Sequence, residues 1–410
     1  MTSLEARPTA ELYERVPSPE LANSALLRLL PKFLAEDLRP TRAQVEGFAK
    51  YGMTGDPLAD AVVAAMKGPG GKELRGQFEQ ALAHGIDTVS DAPPVLREFF
   101  AAVEEVPYWV DPEKLQRGAE VTSRMGPLLA PSLLVGLALT YTTPDGNAVL
   151  LRAGDTRDKA GTRAVETLSW LSAVTTPGAL RRGELGFQSS VRVRLTHAFL
   201  RSGMPKRADW DEGRFAVHQQ VFSSVIIAFT LVPLVVAGMA GNRLRRKDRE
   251  AVVHLWRYIA YIVGVHPNLI PATESDTSRL LWMFLDEVIA PDAGSTELGT
   301  ALIAAYPEIY GVTGNKPSHR IARWLLPQSH SVVARAALGN EVSDVLGFPK
   351  INPAMVPLVG LIMAVTTVWS ALDVIPPVRH ARTRVMYRSR VKIIDRMCRR
   401  THADLSYRRE

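Results

Sequence analysis

Residues 221 to 241, VFSSVIIAFTLVPLVVAGMAG, carry no charged side chain over about twenty positions, and no other stretch limits the fold as strongly. A helix of that length either crosses a bilayer or sits at the middle of a large helical core, where it can be apolar on every side. The polar lead-in HQQ at 218 to 220 and the internal Pro233 fit the second solution, so burial is expected. The chain has material for such a core, with 410 residues of which 46% are hydrophobic. A second apolar run, MVPLVGLIMAVTTVWSAL at 355 to 372, is also expected to be buried, although the basic segment after it gives the order of an interfacial anchor.

The surrounding sequence repeats with helical spacing. VLREFFAAVEEV is one such segment, and PYWVDPEKLQRGAEVTSRM enters another with Asp111 as N-cap and Pro112 at the first helical position. LLAPSLLVGLALTYTTP is apolar all round, and TRAVETLSWLSAVTTPGAL returns to helical spacing up to Pro177. MKGPGGKELRG at 66 to 76 and DGNAVLLRAGDTRDKAG at 145 to 161 read as loops. Strand-like alternation is scarce and no internal repeat is evident, which predicts an all-α fold, a large single-domain helical bundle. Its expected parts are a helical lead-in over 1–90, a core over 91–350, and an apolar helix with a basic tail over 351–410 packed on that core.

The formal charge of +7 is concentrated at one end. From Arg379 to Glu410 there are eleven Lys and Arg against three acids, a surplus that accounts for the whole excess. No helix-turn-helix, finger or aromatic-interleaved basic groove accompanies it, so a solvated terminal helix is expected, peripheral membrane contact is the next reading, and nucleic acid is not an expected partner. The single cysteine, Cys398, rules out an internal disulfide and Cys-rich metal sites. With no basic segment and apolar run at the start, the expectation is a cytoplasmic protein without an export signal.

SSVRVRLTHAFLRSG, 189 to 203, poses the chemical question. As a helix it aligns Ser190, Arg194, His197 and Arg201, while Val191, Val193, Leu195, Phe199 and Leu200 take the other side. Such a stripe can face water, an anionic ligand or a metal. In TRAVETLSW, Arg163, Thr167 and Trp170 share a face with Glu166 beside it. A structural Arg–Glu network and a haem pocket both satisfy these residues: imidazole binds iron, propionates need cations, and porphyrin faces need apolar helices. Asp145 or Glu166 is a candidate base. His218 and His254 read as core or helix-end residues, Trp109 and Trp256 as packing, and GPGG lacks the continuation of a phosphate loop.

RVRLTHAFLR together with GTRAVETLSWL resembles the signature of the rubber-oxygenase (latex clearing protein) and MpaB-type oxygenase family, whose members are helical and bind b-type haem. VPYWVDPEKLQRGAEV and the stretch from HQQVFSSV to HPNLIP extend the likeness over roughly residues 95 to 290. The resemblance implies a globin-like helical bundle around haem b, an oxygenase that uses dioxygen on a small apolar, isoprenoid- or lipid-like substrate. By position, His197 matches the proximal iron ligand, Arg194 and Arg201 the basic companions near the propionates, and Arg163 and Thr167 polar distal residues. Trp170 completes the cofactor-binding set and Glu166 the catalytic one. The chain departs from the secreted rubber-cleaving members in carrying Glu166 where they have a lysine, and Asp145 and Asn147 where their catalytic glutamate is sought. Two other functions remain open, a non-catalytic haem-binding protein and a cofactor-free membrane-surface interaction protein.

Overall fold

The computed structural model describes Val16 and residues 37–153 and 156–403; the opening arm and the last seven residues of the basic tail fall outside the described residues. Among the described residues every regular element is a helix. The order includes Pro57–Lys67, Pro94–Glu104, Pro112–Arg124, Leu129–Thr140, Pro144–Arg152, Thr156–Val174, Leu185–Gly203, Gln219–Met239, Arg246–Ile262, Pro317–Leu338, Val356–Leu372 and Pro376–Thr401. One apolar cluster runs from Leu38 to Cys398 and joins most of these helices, while a smaller one gathers Ala148, Val149, Met204, Trp210 and Ala216.

Local chemistry sets the helix starts. Asp56 and Asp111 each cap a helix that opens with proline, the Asp111 carboxylate accepting from the backbone N–H groups of Glu113 and Lys114. His218 caps Gln219–Met239, and Thr273 and Asp292 close capping boxes further on. Two expected loops are shorter than the sequence suggested. Gly71 already begins the helix Gly71–His84, and Pro144 at a helical first turn starts Pro144–Arg152 despite the glycines around them.

Gln219–Met239 is the central helix, with 82% of its most apolar window buried. It lies against Leu129–Thr140 at very close range, because a Cβ on Gly136 would come within 2.6 Å of the Ala228 carbonyl oxygen. Gly118 plays the same part where Pro112–Arg124 meets the backbone of Ala251. Backbone, rather than side chain, therefore sets these two spacings.

The second apolar run is not buried. Only 6% of the window in Pro353–Leu372 is covered, and no residue of the helix Val356–Leu372 is buried. Its hydrophobicity was a correct sign of a helix that avoids water, but the core is already filled by Gln219–Met239 and its neighbours. The basic helix Pro376–Thr401, by contrast, is packed rather than solvated. It buries Ile394, Met397, Cys398 and Thr401 against the rest, with Arg382 held by Asp373 at 2.6 Å.

His330 is buried between Tyr310 and the Leu326 carbonyl. A carbonyl only accepts, so Nδ1 donates to it at 2.8 Å and Nε2 accepts from the Tyr310 hydroxyl at 3.0 Å. Burial pushes this imidazole down to about 4, from an ordinary value near 6.5. Between those values the unfolded chain binds the proton and the folded one does not, so this group's contribution is intact above about pH 6.5 and is lost as pH falls toward 4. The melting temperature is expected to drop across that window, and to drop less in His330→Gln; equal slopes in the two proteins would refute the assignment.

Candidate functional site

The helix Leu185–Gly203 separates its polar stripe between two neighbours. Residues three and four apart on a helix differ in direction by about 60° and about 40°, enough to aim them at different elements. Arg194 and Arg201 turn toward the helix Pro57–Lys67. Arg194 makes a two-pronged ion pair with Asp56, Nε to Oδ2 at 2.6 Å and Nη2 to Oδ1 at 3.0 Å, and its guanidinium also lies over the Phe99 ring at 5.2 Å. Only 9% and 7% of the Arg194 and Asp56 side chains are exposed, so this is a buried pair. Arg201 pairs with Asp60 at 2.8 Å, one turn further along the same partner helix. Both arginines, expected near propionates, are thus engaged by carboxylates more than a hundred residues earlier in the chain.

His197 turns the other way, toward a cavity of about 510 Å³ lined by Val193, Thr196, His197 and Leu200 from its own helix. Glu166, Thr167 and Trp170 face the same space from Thr156–Val174, Val221, Phe222 and Ser224 from the central helix, and Leu137 and Thr140 from Leu129–Thr140. Four of the expected residues, Glu166, Thr167, Trp170 and His197, therefore meet at one cavity. Arg163 stands behind it, its guanidinium donating to the Leu150 carbonyl at 3.1 Å while its own carbonyl accepts from the Thr167 hydroxyl. Among the described residues no lysine or arginine is part of the lining.

The lining is mostly apolar, and its polar atoms are few and pointed. Phe222 sits edge-on to the His197 ring, with ring centres 4.6 Å apart. His197 Nδ1 and Trp170 Nε1 are buried without a hydrogen-bond partner. Burial, with the Arg201 charge adding to it, pushes the His197 imidazole down to about 4, so the ring is neutral at ordinary pH and keeps a lone pair for a metal. Val217 borders the cavity in the left-handed region at φ 50°, a costly position for a β-branched residue.

The alternative base is tied up. Asp145 accepts from His218 at 3.2 Å and Arg214 at 2.9 Å, and these partners hold its carboxyl below the usual range despite some burial. Asn147 is spent on the Tyr141 carbonyl, Asp292 and Ser295. His254 accepts from the Asp111 backbone N–H and Trp256 is buried in the core, both structural as expected. Trp109 carries the Arg257 guanidinium on its ring at 4.0 Å.

Sequence reasoning missed Asp56 and Asp60. The pattern GDPLAD, an N-cap followed by proline and a second acid one turn on, was available as a helix start, yet its pairing with a distant helix was not. It also missed Phe222 and the threonines at 140 and 143, which enter the lining only through tertiary packing.

Comparison with known proteins gives three findings. The family described as "ER-bound oxygenase mpaB/B'/Rubber oxygenase, catalytic domain" matches residues 119–373. A rubber oxygenase from Streptomyces sp. (strain K30) is 25% identical over 308 residues, covering 72% of this chain and 70% of its own. A solved structure of latex clearing protein in the closed state superposes with a TM-score of 0.63 at 21% identity, over 84% of this chain and 91% of that one.

Proposed function

Because the chain belongs to the MpaB/rubber-oxygenase catalytic-domain family, an oxygenase family, we propose that it is a haem b-dependent oxygenase acting with dioxygen on a small apolar, isoprenoid- or lipid-like substrate. The observation that carries the reading is the His197 ring, neutral and with an unpartnered Nδ1, at the wall of a mainly apolar cavity of about 510 Å³. That volume lies within the range of about 300–1,000 Å³ for small-molecule sites. Among the described residues no group of three or more metal-ligating side chains occurs, and a porphyrin asks the protein for only one or two ligands.

The residues fit the macrocycle and its axial ligand; the arginine stripe does not fit its acidic arms, since Arg194 and Arg201 are already paired. His197 would hold the iron, and Trp170 and Phe222 would pack beside the ring. Arg163, outside the lining but donating to the carbonyl of the lining residue Leu150, is the cation proposed to serve the propionates. When bound, the group supplies dioxygen activation and redox chemistry. The chain's part is to exclude water with Leu137, Val193, Leu200 and Val221, to orient an apolar substrate among them, and to move protons. Glu166 and His197 are the two ionisable residues in the lining, so with the imidazole committed to iron, Glu166 is the group that takes or returns a substrate proton. Glu166→Gln is expected to keep the haem and slow oxygen uptake with isoprenoid or lipid substrates roughly 10²–10⁴-fold, the usual range for losing a general base. Unchanged turnover would remove Glu166 from that role, and a colourless protein after haem-replete expression would overturn the cofactor.

We further propose that the protein works in the cytoplasm on a membrane surface, with Val356–Leu372 immersed. Val356, Leu361, Val365 and Val368 are each at least 48% exposed, an apolar surface with no cover among the described residues. The cationic helix Pro376–Thr401 follows it directly, the arrangement that anionic lipid attracts at about 1 kcal/mol per basic residue near the surface. Sedimentation with vesicles containing anionic lipid is expected to capture the protein, and Leu361→Glu with Val365→Glu to release it. Capture unaffected by that pair, or a stable dimer that dissociates in the variant, would replace the membrane with another occupant.

A further inference from the structure

A second cavity, of about 300 Å³, lies across the helix Thr156–Val174 from His197, reached by Leu168, Leu171 and Ser172 rather than by Glu166, Thr167 and Trp170. Its walls are chiefly aliphatic, from Leu129 and Leu133 on one side to Ile393, Ile394 and Met397 on the other. One cation enters it, Arg390. Its Nη1 donates to the Thr175 hydroxyl at 3.1 Å and its Nη2 to the Thr175 carbonyl at 3.3 Å, while Nε is buried with no partner. Among the described residues no carboxylate forms an ion pair with it. His330, also in the lining, is occupied by Tyr310 and the Leu326 carbonyl.

The Tyr387 ring lies 5.6 Å from the guanidinium centre and Thr175 takes two of its N–H groups, but a cation inside an apolar wall without a carboxylate is disfavoured unless an anion joins it, and burial pushes it down to about 10 against the opposing effect of Tyr387. Thr175 takes the edge formed by the two terminal nitrogens, which leaves the Nε edge, the one that grips a carboxylate with two parallel bonds. The lining then supplies what the rest of such a ligand needs, a slot for a hydrocarbon tail. We propose that this cavity binds an amphiphilic carboxylate, a fatty-acid-like molecule whose head sits on Arg390 and whose tail lies among Leu129, Leu133, Leu168, Leu171, Ile393 and Met397. The site is separate from the cavity at His197 and does not depend on the reading given for that one.

Dodecanoate is the probe, titrated calorimetrically into the full-length protein with dodecanol as its uncharged counterpart. Saturable dodecanoate binding is expected, weakened at least tenfold in Arg390→Met, with dodecanol binding equal in both proteins. Ala130→Trp, at a half-buried lining position, is expected to abolish binding of both probes by filling the slot. Ligand-free Arg390→Met is expected to melt no lower than the parent, since the variant removes a buried charge that has no carboxylate partner among the described residues. Absence of saturable dodecanoate binding, full affinity in Arg390→Met, or full affinity in Ala130→Trp would each overturn the proposal. If Arg390→Met does not fold, Ala130→Trp and the dodecanol comparison decide the matter.

Discussion

His197→Ala is expected to purify without the Soret absorption expected of the parent protein, its haem content falling from about one per chain to near zero and oxygen uptake to background. The reason is chemical economy: His197 is the one imidazole in the lining of its cavity, and no cluster of alternative ligands stands among the described residues. The same change should leave the cofactor-free fold nearly untouched. The ring has no hydrogen-bond partner on Nδ1 to lose, and it borders an existing cavity, so truncation widens open space instead of leaving a new void in a packed region. Unfolding of the apo forms by denaturant is therefore expected to coincide, which separates loss of a ligand from loss of structure. Added imidazole should restore part of the absorption in the variant. A His197→Ala protein with undiminished haem content would move the iron elsewhere and end the assignment.

The second large effect falls on stability. Arg194→Met leaves the Asp56 carboxylate buried beside an apolar side chain, and breaking a buried pair from one side costs about 3–5 kcal/mol. Asp56 also begins the helix Pro57–Lys67, and the pair packs so close to Gly264 that a Cβ there would fall 2.5 Å from Arg194 Nε and from Asp56 Oδ2. The denaturant midpoint should fall accordingly, whereas Arg194→Met with Asp56→Leu together should recover much of the loss by removing the stranded charge. Haem content per folded chain should stay at the parent level. The opposite pattern, lost haem with stability preserved, would return Arg194 to the propionates.

That contrast marks what could be read in the sequence. The helix carrying His197 was legible because its spacing is local, and so was the Asp111 cap, which depends on three consecutive residues. Burial of Gln219–Met239 followed from length, composition and Pro233. The destinations of Arg194 and Arg201 were not legible, because a stripe defines a direction on one helix while the partner lies on another whose place is set by the whole core. The motif resemblance located Glu166, Thr167, Trp170 and His197 together, yet carried the arginines with them; about 60° of helical arc for Arg194 and about 40° for Arg201 divide the two outcomes. Val356–Leu372 failed for a related reason: hydropathy reports an aversion to water and says nothing of what provides the shelter.

The close contact of Gly136 with the backbone at Ala228 has a bearing on how such a catalyst can change its diet. On the proposed function, the spacing of two walls of the cavity at His197 follows from two main chains held against each other, so exchanging Leu137, Val221 or Ser224 for other aliphatic or small groups alters its contours without altering that spacing. Selectivity among the proposed apolar substrates is then open to single substitutions, whereas a bulkier residue at 136 would pry the helices apart and forfeit the cavity altogether.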